Sequence, residues 1–264
     1  LPAMLRLATR VPGLSNPPSM RKIYYPGIQQ PSRMTDARRR VLEAFQSYGG
    51  LPFTLKELAD IAGVSSTVIK GMVALGAVQE KDTPRDLPFA RLDIDYAPVT
   101  LTADQGSAAA TLITGLKSQN YGTTLLKGVT GSGKTEVYLE VVAECLRQGR
   151  QALVLLPEIA LTTEFLDRVD ARFGTRPAEW HSGITLTERR RVWKMVGQDG
   201  AQMVIGARSA LFLPYQNLGL IVVDEEHDSS YKQEDGVLYN ARDMAVLRAS
   251  ICGARVVLAS ATPS

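Results

Sequence analysis

Two short runs in this chain carry the groups needed to handle a triphosphate. Gly128-Val129-Thr130-Gly131-Ser132-Gly133-Lys134-Thr135 fits the phosphate-loop spacing, in which a first glycine is followed after four residues by a glycine, a lysine and a hydroxyl. In such a loop, successive backbone N–H groups from Gly128 to Thr135 turn inward around anionic oxygens, and the helix that follows aims its positive end at the same phosphates. Lys134 is expected to reach the β- and γ-phosphates and the Thr135 hydroxyl to ligate magnesium. Asp224-Glu225-Glu226-His227 comes later, directly behind the apolar Leu220-Ile221-Val222-Val223. There Asp224 is expected to hold magnesium, directly or through water, and Glu225 to orient and deprotonate the attacking water. His227 is either a surface imidazole or a group that couples this acidic cluster to its neighbours. The two runs together specify a nucleotide triphosphatase using ATP and Mg2+.

Other segments fall near the same chemistry. Leu101-Thr102-Ala103-Asp104-Gln105 opens a helix ahead of the phosphate loop, where the Gln105 amide either selects adenine by its edge or simply caps the helix. Leu156 to Thr162 and Gly206-Ala207-Arg208-Ser209-Ala210 leave strands with exposed amides and small side chains, suited to the phosphates of a single DNA strand, with Arg208 supplying charge. Tyr231-Lys232-Gln233 and Tyr239-Asn240-Ala241-Arg242 interleave aromatic and basic groups that either stack on bases or, for the tyrosines, pack in the interior. Glu188-Arg189-Arg190-Arg191 and Trp193 lie on a helix after the Trp180-His181-Ser182-Gly183 turn; the arginines read as a solvated face or the lining of a DNA path.

Positioning these groups takes a sheet whose strands end at the motifs. Thr124 to Leu126, Ala152 to Leu156, Met203 to Ile205, Leu220 to Val223 and Arg255 to Ala259 are short β-branched or leucine-rich runs separated by helical stretches such as Glu136 to Arg147. That alternation predicts a mainly parallel sheet covered on both faces, with ligands at the carboxyl ends of its strands. Upstream, Thr35-Asp36 caps a helix with an apolar face at Ala37, Val41, Leu42, Ala44 and Phe45; a second helix runs from about Thr54 to Ile61, and a third from Thr67 to Leu75 after a glycine turn at Gly63. This is the helix-turn-helix plan, with a two-stranded wing expected from Val78 and from Phe89-Ala90-Arg91-Leu92. The same architecture also serves as a packing module that never touches DNA. The predicted fold class is α/β: a linker over 1–33 with little regular structure, a small winged-helix domain over 34–93, and a P-loop NTPase lobe with a mainly parallel sheet over 94–264.

The composition, 45% hydrophobic and 22% charged over 264 residues, excludes a disordered chain. No apolar run approaches the roughly 20 residues of a membrane-spanning helix, and Leu1-Pro2-Ala3-Met4 opens no signal peptide, so a soluble cytoplasmic protein with no membrane partner is expected. A net charge of +3 does not identify a nucleic-acid partner by itself. Cys145 and Cys252 are read as two core thiols, without metal spacing. The lack of an initiator methionine and the ending at Ser260-Ala261-Thr262-Pro263-Ser264 suggest a piece of a longer polypeptide.

Gly128 to Tyr138, Leu156 to Thr162, Gly206 to Phe212, Asp224 to Gln233, Tyr239 to Asp243 and Ser260-Ala261-Thr262 resemble, in order, the motifs of the PriA family of bacterial primosomal N′ helicases, superfamily 2. The resemblance runs from about Met34 to the end. It implies a winged helix followed by the first RecA-like helicase lobe, with ATP-driven unwinding of forked and single-stranded DNA during replication restart and primosome assembly. It also implies that Asp228 to Asp243 couples DNA contact to hydrolysis through Arg208, Ser209, Tyr231, Lys232, Tyr239 and Arg242, and that Ser260 and Thr262 relay the γ-phosphate state. Other primosome proteins and single-stranded-DNA-binding protein are partners implied by the family, as is zinc, whose ligands are not among these residues. The family's second lobe, which supplies arginines that close on the γ-phosphate, is likewise not among them. On that ground the chain is expected to bind ATP and DNA but hydrolyse poorly. The tip Val237-Leu238 stands where many relatives carry a tryptophan or a proline-arginine pair. The alternative is a non-enzymatic scaffold that holds primosome proteins at the fork.

Overall fold

The computed structural model describes residues 20–262 except 32, 85, 158, 159, 161 and 235. The expected linker before Met20, and Glu158, Ile159 and Leu161 of the loop after Leu156, therefore lie outside the described residues. The described residues form two compact units, one over 20–86 and one over 87–262.

In the first unit, β1 (Met20–Pro26) is followed by α1 (Asp36–Ser47), β2 (Phe53–Thr54), α2 (Leu55–Ala62), α3 (Ser66–Ala74) and β3 (Val78–Pro84). Thr35 caps α1 as expected, its hydroxyl accepting from the Arg38 amide. Thr54 and Glu57 close a reciprocal capping box at the start of α2, which ends at Gly63. The helices enclose Val41, Phe45, Leu58, Ile69 and Met72 against Tyr24 of β1.

Two expectations are corrected here. Met20–Pro26, expected as linker, is the central strand of an antiparallel sheet ordered β2-β1-β3. The run Arg21-Lys22-Ile23-Tyr24-Tyr25 has strand-forming aromatics and an apolar centre, but the prolines on either side of it mask the signal. Phe89 to Leu92 is not a wing strand: β3 pairs along its whole length with β1. Phe89 and Leu92 instead join the second unit, where the Phe89 ring lies under the Arg191 guanidinium at 4.1 Å and Leu92 is buried.

The second unit contains α4 (Ala103–Lys117), β4 (Gly122–Lys127), α5 (Lys134–Arg147), β5 (Gln151–Leu155), α6 (Thr163–Phe173), β6 (Ala178–Trp180), α7 (Leu186–Gly197), β7 (Met203–Gly206), β8 (Leu218–Asp224), the short pair β9 (Lys232–Gln233) and β10 (Tyr239–Asn240), α8 (Ala241–Cys252) and β11 (Arg255–Ser260). Six strands form one sheet in the order β4-β11-β8-β5-β7-β6, with every pairing parallel. Alternate residues of each central strand feed opposite cores. Ala152, Val154, Ile205, Leu220 and Val222 face the helices α4 to α6, whereas Leu153, Leu155, Val204, Ile221 and Val223 face α7 and α8. Burial on both faces explains why these strands read as continuous apolar runs.

This strand order brings the ends of β4, β11 and β8 side by side, which is what the phosphate loop and the acidic run require. β6 is three residues long, too short for the sequence pattern to reveal. Cys145 is buried as expected, its thiol pushed up to about 12 by burial, but Cys252 is exposed at the last turn of α8 and is not a core thiol. Gly206 has no room for a side chain: a Cβ there would stand 2.5 Å from the Trp180 carbonyl oxygen and 2.8 Å from the Ala210 Cβ. Gly206→Ala is expected to force β6 away from β7 and lower stability by about 1–3 kcal/mol. Urea denaturation of parent and variant checks this, and equal midpoints would refute the close packing.

Candidate functional site

The phosphate loop hangs between the end of β4 and the start of α5. Gly133 caps α5 in the left-handed conformation, φ +80°, which a side chain would strain. The residue before it is braced by Gln105, whose Nε2 donates to the Ser132 carbonyl at 3.0 Å while its Oε1 accepts from Thr102 N–H at 2.9 Å. Gln105 thus serves as the helix cap and as a brace of the loop; one of its N–H groups and one lone pair remain for a base. Thr130, Gly131 and Ser132 are exposed along the loop.

Lys134 is buried, with 8% of its surface exposed. Its ammonium donates to the Gly128 carbonyl at 2.9 Å and the Val129 carbonyl at 3.3 Å, and lies 3.8 Å from the Glu225 carboxylate. Glu225 in turn lies 3.7 Å from His227 Nδ1, and that nitrogen is 2.9 Å from the Ser260 hydroxyl. The Ser260 carbonyl accepts from Gly128 N–H at 3.1 Å. Lys134, Glu225, His227, Ser260 and Gly128 therefore close a ring that joins the loop, the acidic run and the end of β11. Glu225 sits in this ring at φ +46°, a left-handed backbone conformation that costs a non-glycine residue about 1 kcal/mol or more.

Asp224 at the end of β8 is held from two sides. The Tyr138 hydroxyl donates to its Oδ2 at 2.9 Å and the Glu225 amide to its Oδ1 at 3.0 Å. Burial raises the Asp224 carboxyl above the usual carboxylate range; the Tyr138 hydrogen bond pulls it down, and the negative charge of Glu225 adds to the rise. Tyr138 is itself buried and borders Thr135 as well as Asp224. Hydroxyl and carboxylate oxygens are hard donors of the kind magnesium takes beside phosphates and water, so Thr135 and Asp224 fit that ion. Among the described residues no cluster of three or more acidic, histidine or cysteine groups forms an all-protein metal cage.

The residues expected to meet DNA divide differently. Tyr231 is buried, its single hydroxyl proton shared between the Asp224 carbonyl at 2.6 Å and the Leu155 carbonyl at 3.0 Å, so it is a strut beneath the acidic run and not a stacking platform. Its bulk and two acceptors within reach favour the interior over solvent. Tyr239 is half-buried, edge-on to Phe212 at 5.2 Å. Arg242 is paired with the buried Glu226 at 3.1 Å and with Asp243 at 2.9 Å, tying the start of α8 to the acidic run. Arg208 donates to the carbonyls of Ser230 and Lys232 at 2.9 and 2.7 Å, and Ser209 Oγ accepts from the Trp180 indole at 3.1 Å. The Lys232 side chain, Ser209 and Thr262 are exposed, and Ser260 is fully buried. Of the three arginines on α7, Arg189 lies over the Trp180 ring at 5.5 Å and Arg191 over Phe89, so neither is a purely solvated charge.

Tyr138 and Glu226 were not singled out by the sequence. Tyr138 stands four residues after Lys134 on α5, which places it on the face of the phosphate-loop lysine, and that spacing was the available signal.

The profile of the DEAD/DEAH box helicases matches residues 102–264, more than half of the chain. This chain belongs to the DEAD/DEAH box helicase family. The wholly parallel sheet, with the loop after β4 and the acidic run after β8, is the RecA-like lobe of such a helicase. Curated relatives include Replication restart protein PriA of Rickettsia conorii, 45% identical over 73% of this chain and 30% of that protein. The PriA of Rickettsia felis is 54% identical over 53% of this chain and 22% of that protein, and the PriA of Bacillus subtilis 39% identical over 81% and 27%. The chain thus spans less than a third of the length of these relatives. Among solved structures, RecG bound to a three-way DNA junction is similar over 67% of this chain and 24% of that one, at 22% identity and a TM-score of 0.49. Among the described residues no helix of this chain is long and apolar enough to cross a membrane.

The Asp224 carboxyl gives a pH test of the site. A carboxyl raised in the folded chain favours folding while protonated, and that contribution is lost as pH climbs from the ordinary carboxylate range through the raised value. Asp224→Asn removes the group. The urea midpoint of the variant, relative to the parent, is expected to move in the variant's favour as pH rises out of the ordinary carboxylate range. A difference independent of pH would contradict the burial argument.

Proposed function

We propose that this chain is the ATP-binding motor lobe of a DNA helicase of replication restart, in which ATP hydrolysis changes the grip on a forked or single-stranded DNA. The observation that carries the reading is the ring around Lys134. Its ammonium is buried among two carbonyls and the Glu225 carboxylate, acceptors that the β- and γ-phosphates of ATP can replace without moving the lysine far. The amides of Gly128 to Thr135 cradle the phosphates, and Gln105 faces the adenine side of the loop.

Thr135 and Asp224 would hold magnesium, which would supply positive charge to neutralise the phosphate oxygens. Glu225 is the base that orients and deprotonates the attacking water, its carboxylate set beside the Lys134 charge and the His227 imidazole. His227 and Ser260 form the path by which loss of the γ-phosphate reaches the end of β11, and Thr262 follows on the exposed side. Tyr231 carries the same event into the Asp228 to Asp243 segment, because its hydroxyl grips the backbone of Asp224 itself. Arg208 fixes that segment from the β7 side, and Lys232 and Ser209 remain exposed for phosphates.

The likeness to proteins named Replication restart protein PriA supports the restart role, with primosome proteins as partners. The first unit, three helices on a small antiparallel sheet, supports a winged-helix module in that assembly. Zinc enters only through the family.

Magnesium-dependent ATP binding and turnover, with and without a forked DNA, test the reading. Lys134→Ala is expected to abolish nucleotide binding. Glu225→Gln is expected to bind ATP as the parent does and to lose about 10²-fold or more in any turnover the parent shows. Nucleotide binding that survives Lys134→Ala would refute the assignment of the loop.

A further inference from the structure

The first unit carries a cleft that the nucleotide site does not use. It measures about 850 Å³ and opens between β1, the start of α2, the second half of α3 and β3. Four cations line it, Arg21, Lys22, Lys56 and Lys70, against one carboxylate, Glu80. Lys22 is committed to Glu80 by an ion pair, and its hydrogen bond holds the Glu80 carboxyl below the usual range. The Arg21 Nε is buried with no hydrogen-bond partner. Lys56 and Lys70 are exposed on the first turn of α2 and the middle of α3. Between these charges the wall is apolar: Leu55, Val73 and Ala74 face the same space.

A positive rim over an apolar floor asks for a ligand that is both acidic and apolar. A sugar-phosphate backbone matches the rim but brings no apolar body for the floor. The placement on α3 also differs from that of a DNA-reading helix, whose first residues meet base edges. Here the first turn, Ser66 and Thr67, stands outside the cleft, and the later residues Lys70, Val73 and Ala74 line it. The start of α2 is already capped by Thr54 and the Glu57 carboxylate, so the positive charge offered to a ligand is that of the side chains, Lys56 and Lys70 above all.

We propose that this cleft docks an acidic peptide segment of a partner protein, an apolar side chain of the peptide filling the floor between Leu55, Val73 and Ala74 while its carboxylates meet Arg21, Lys56 and Lys70. The charge balance of the lining supplies the direction and on-rate of the encounter, and the floor supplies the holding contact.

The test uses the whole chain and a short fluorescent peptide of aspartate, glutamate and leucine, followed by anisotropy, with a peptide in which serine replaces leucine and a plain DNA duplex as comparisons. The leucine peptide is expected to bind, and the serine peptide about tenfold more weakly. The double change Lys56→Glu with Lys70→Glu is expected to weaken the leucine peptide at least about tenfold. Both lysines are exposed, and the change at Lys56 puts a negative charge at a helix start, where it is favoured, so the fold is kept and circular dichroism checks it. Ala74→Trp, which fills the cleft without changing its charge, is expected to weaken the peptide as well. No binding, equal binding of the two peptides, or binding unaffected by these variants would overturn the proposal. So would a duplex that binds more tightly than the peptide and is weakened by both sets of variants, since the cleft would then be a phosphate site.

Discussion

A buried ammonium has to be surrounded by acceptors, because leaving such a charge unpaired inside the protein costs several kcal/mol. Lys134 is that ammonium, and meeting its need organises the end of the sheet. Two loop carbonyls come from the turn itself, and the carboxylate comes from Glu225 at the end of a different strand. Glu225 reaches it only through a left-handed backbone, which the hydrogen bond from its own amide to Asp224 and the Glu226 amide bond to the Ala259 carbonyl hold in place. The order of strands follows from the same need, since β4, β11 and β8 must be adjacent for their three ends to meet around one charge.

A second layer of polar contacts lies beneath. Tyr138 from α5 and Tyr231 from the segment after the acidic run both put hydroxyls on Asp224, one on its carboxylate and one on its backbone carbonyl. Glu226 faces the other way and holds Arg242 at the start of α8. The four consecutive residues from Asp224 to His227 thus connect to α5, the phosphate loop, α8 and β11. All of these connections are hydrogen bonds and ion pairs between side chains and backbone of neighbouring elements.

The motifs were legible in the sequence because they combine rare residue types at fixed spacing behind apolar runs, and five of the six parallel strands were legible because burial on both faces leaves continuous β-branched stretches. What stayed hidden was set by tertiary context. The strand at Met20–Pro26 is half polar and flanked by prolines, and only its pairing with β2 and β3 makes it central. Tyr231 sits in a segment rich in polar groups, and nothing local shows that its hydroxyl will find two backbone carbonyls from separate strands. Arg242 and Arg208 read as charges for an external partner, yet each is spent on the protein's own carboxylates or carbonyls. Gln105 takes part in the helix cap, one of its two readings, and the same amide also braces the phosphate loop, a contact that no local pattern reveals.

The two cysteines make the molecule chemically addressable at a single point. The chain has only these two thiols. Burial keeps Cys145 protonated and out of reach, whereas Cys252 is exposed at the far end of the helix whose first residues grip Glu226. A thiol-reactive dye therefore attaches at one end of α8 while the other end is fastened to the acidic run, so the helix acts as a pointer. The dye then sits a full helix length from the acidic run, without a probe in the site itself.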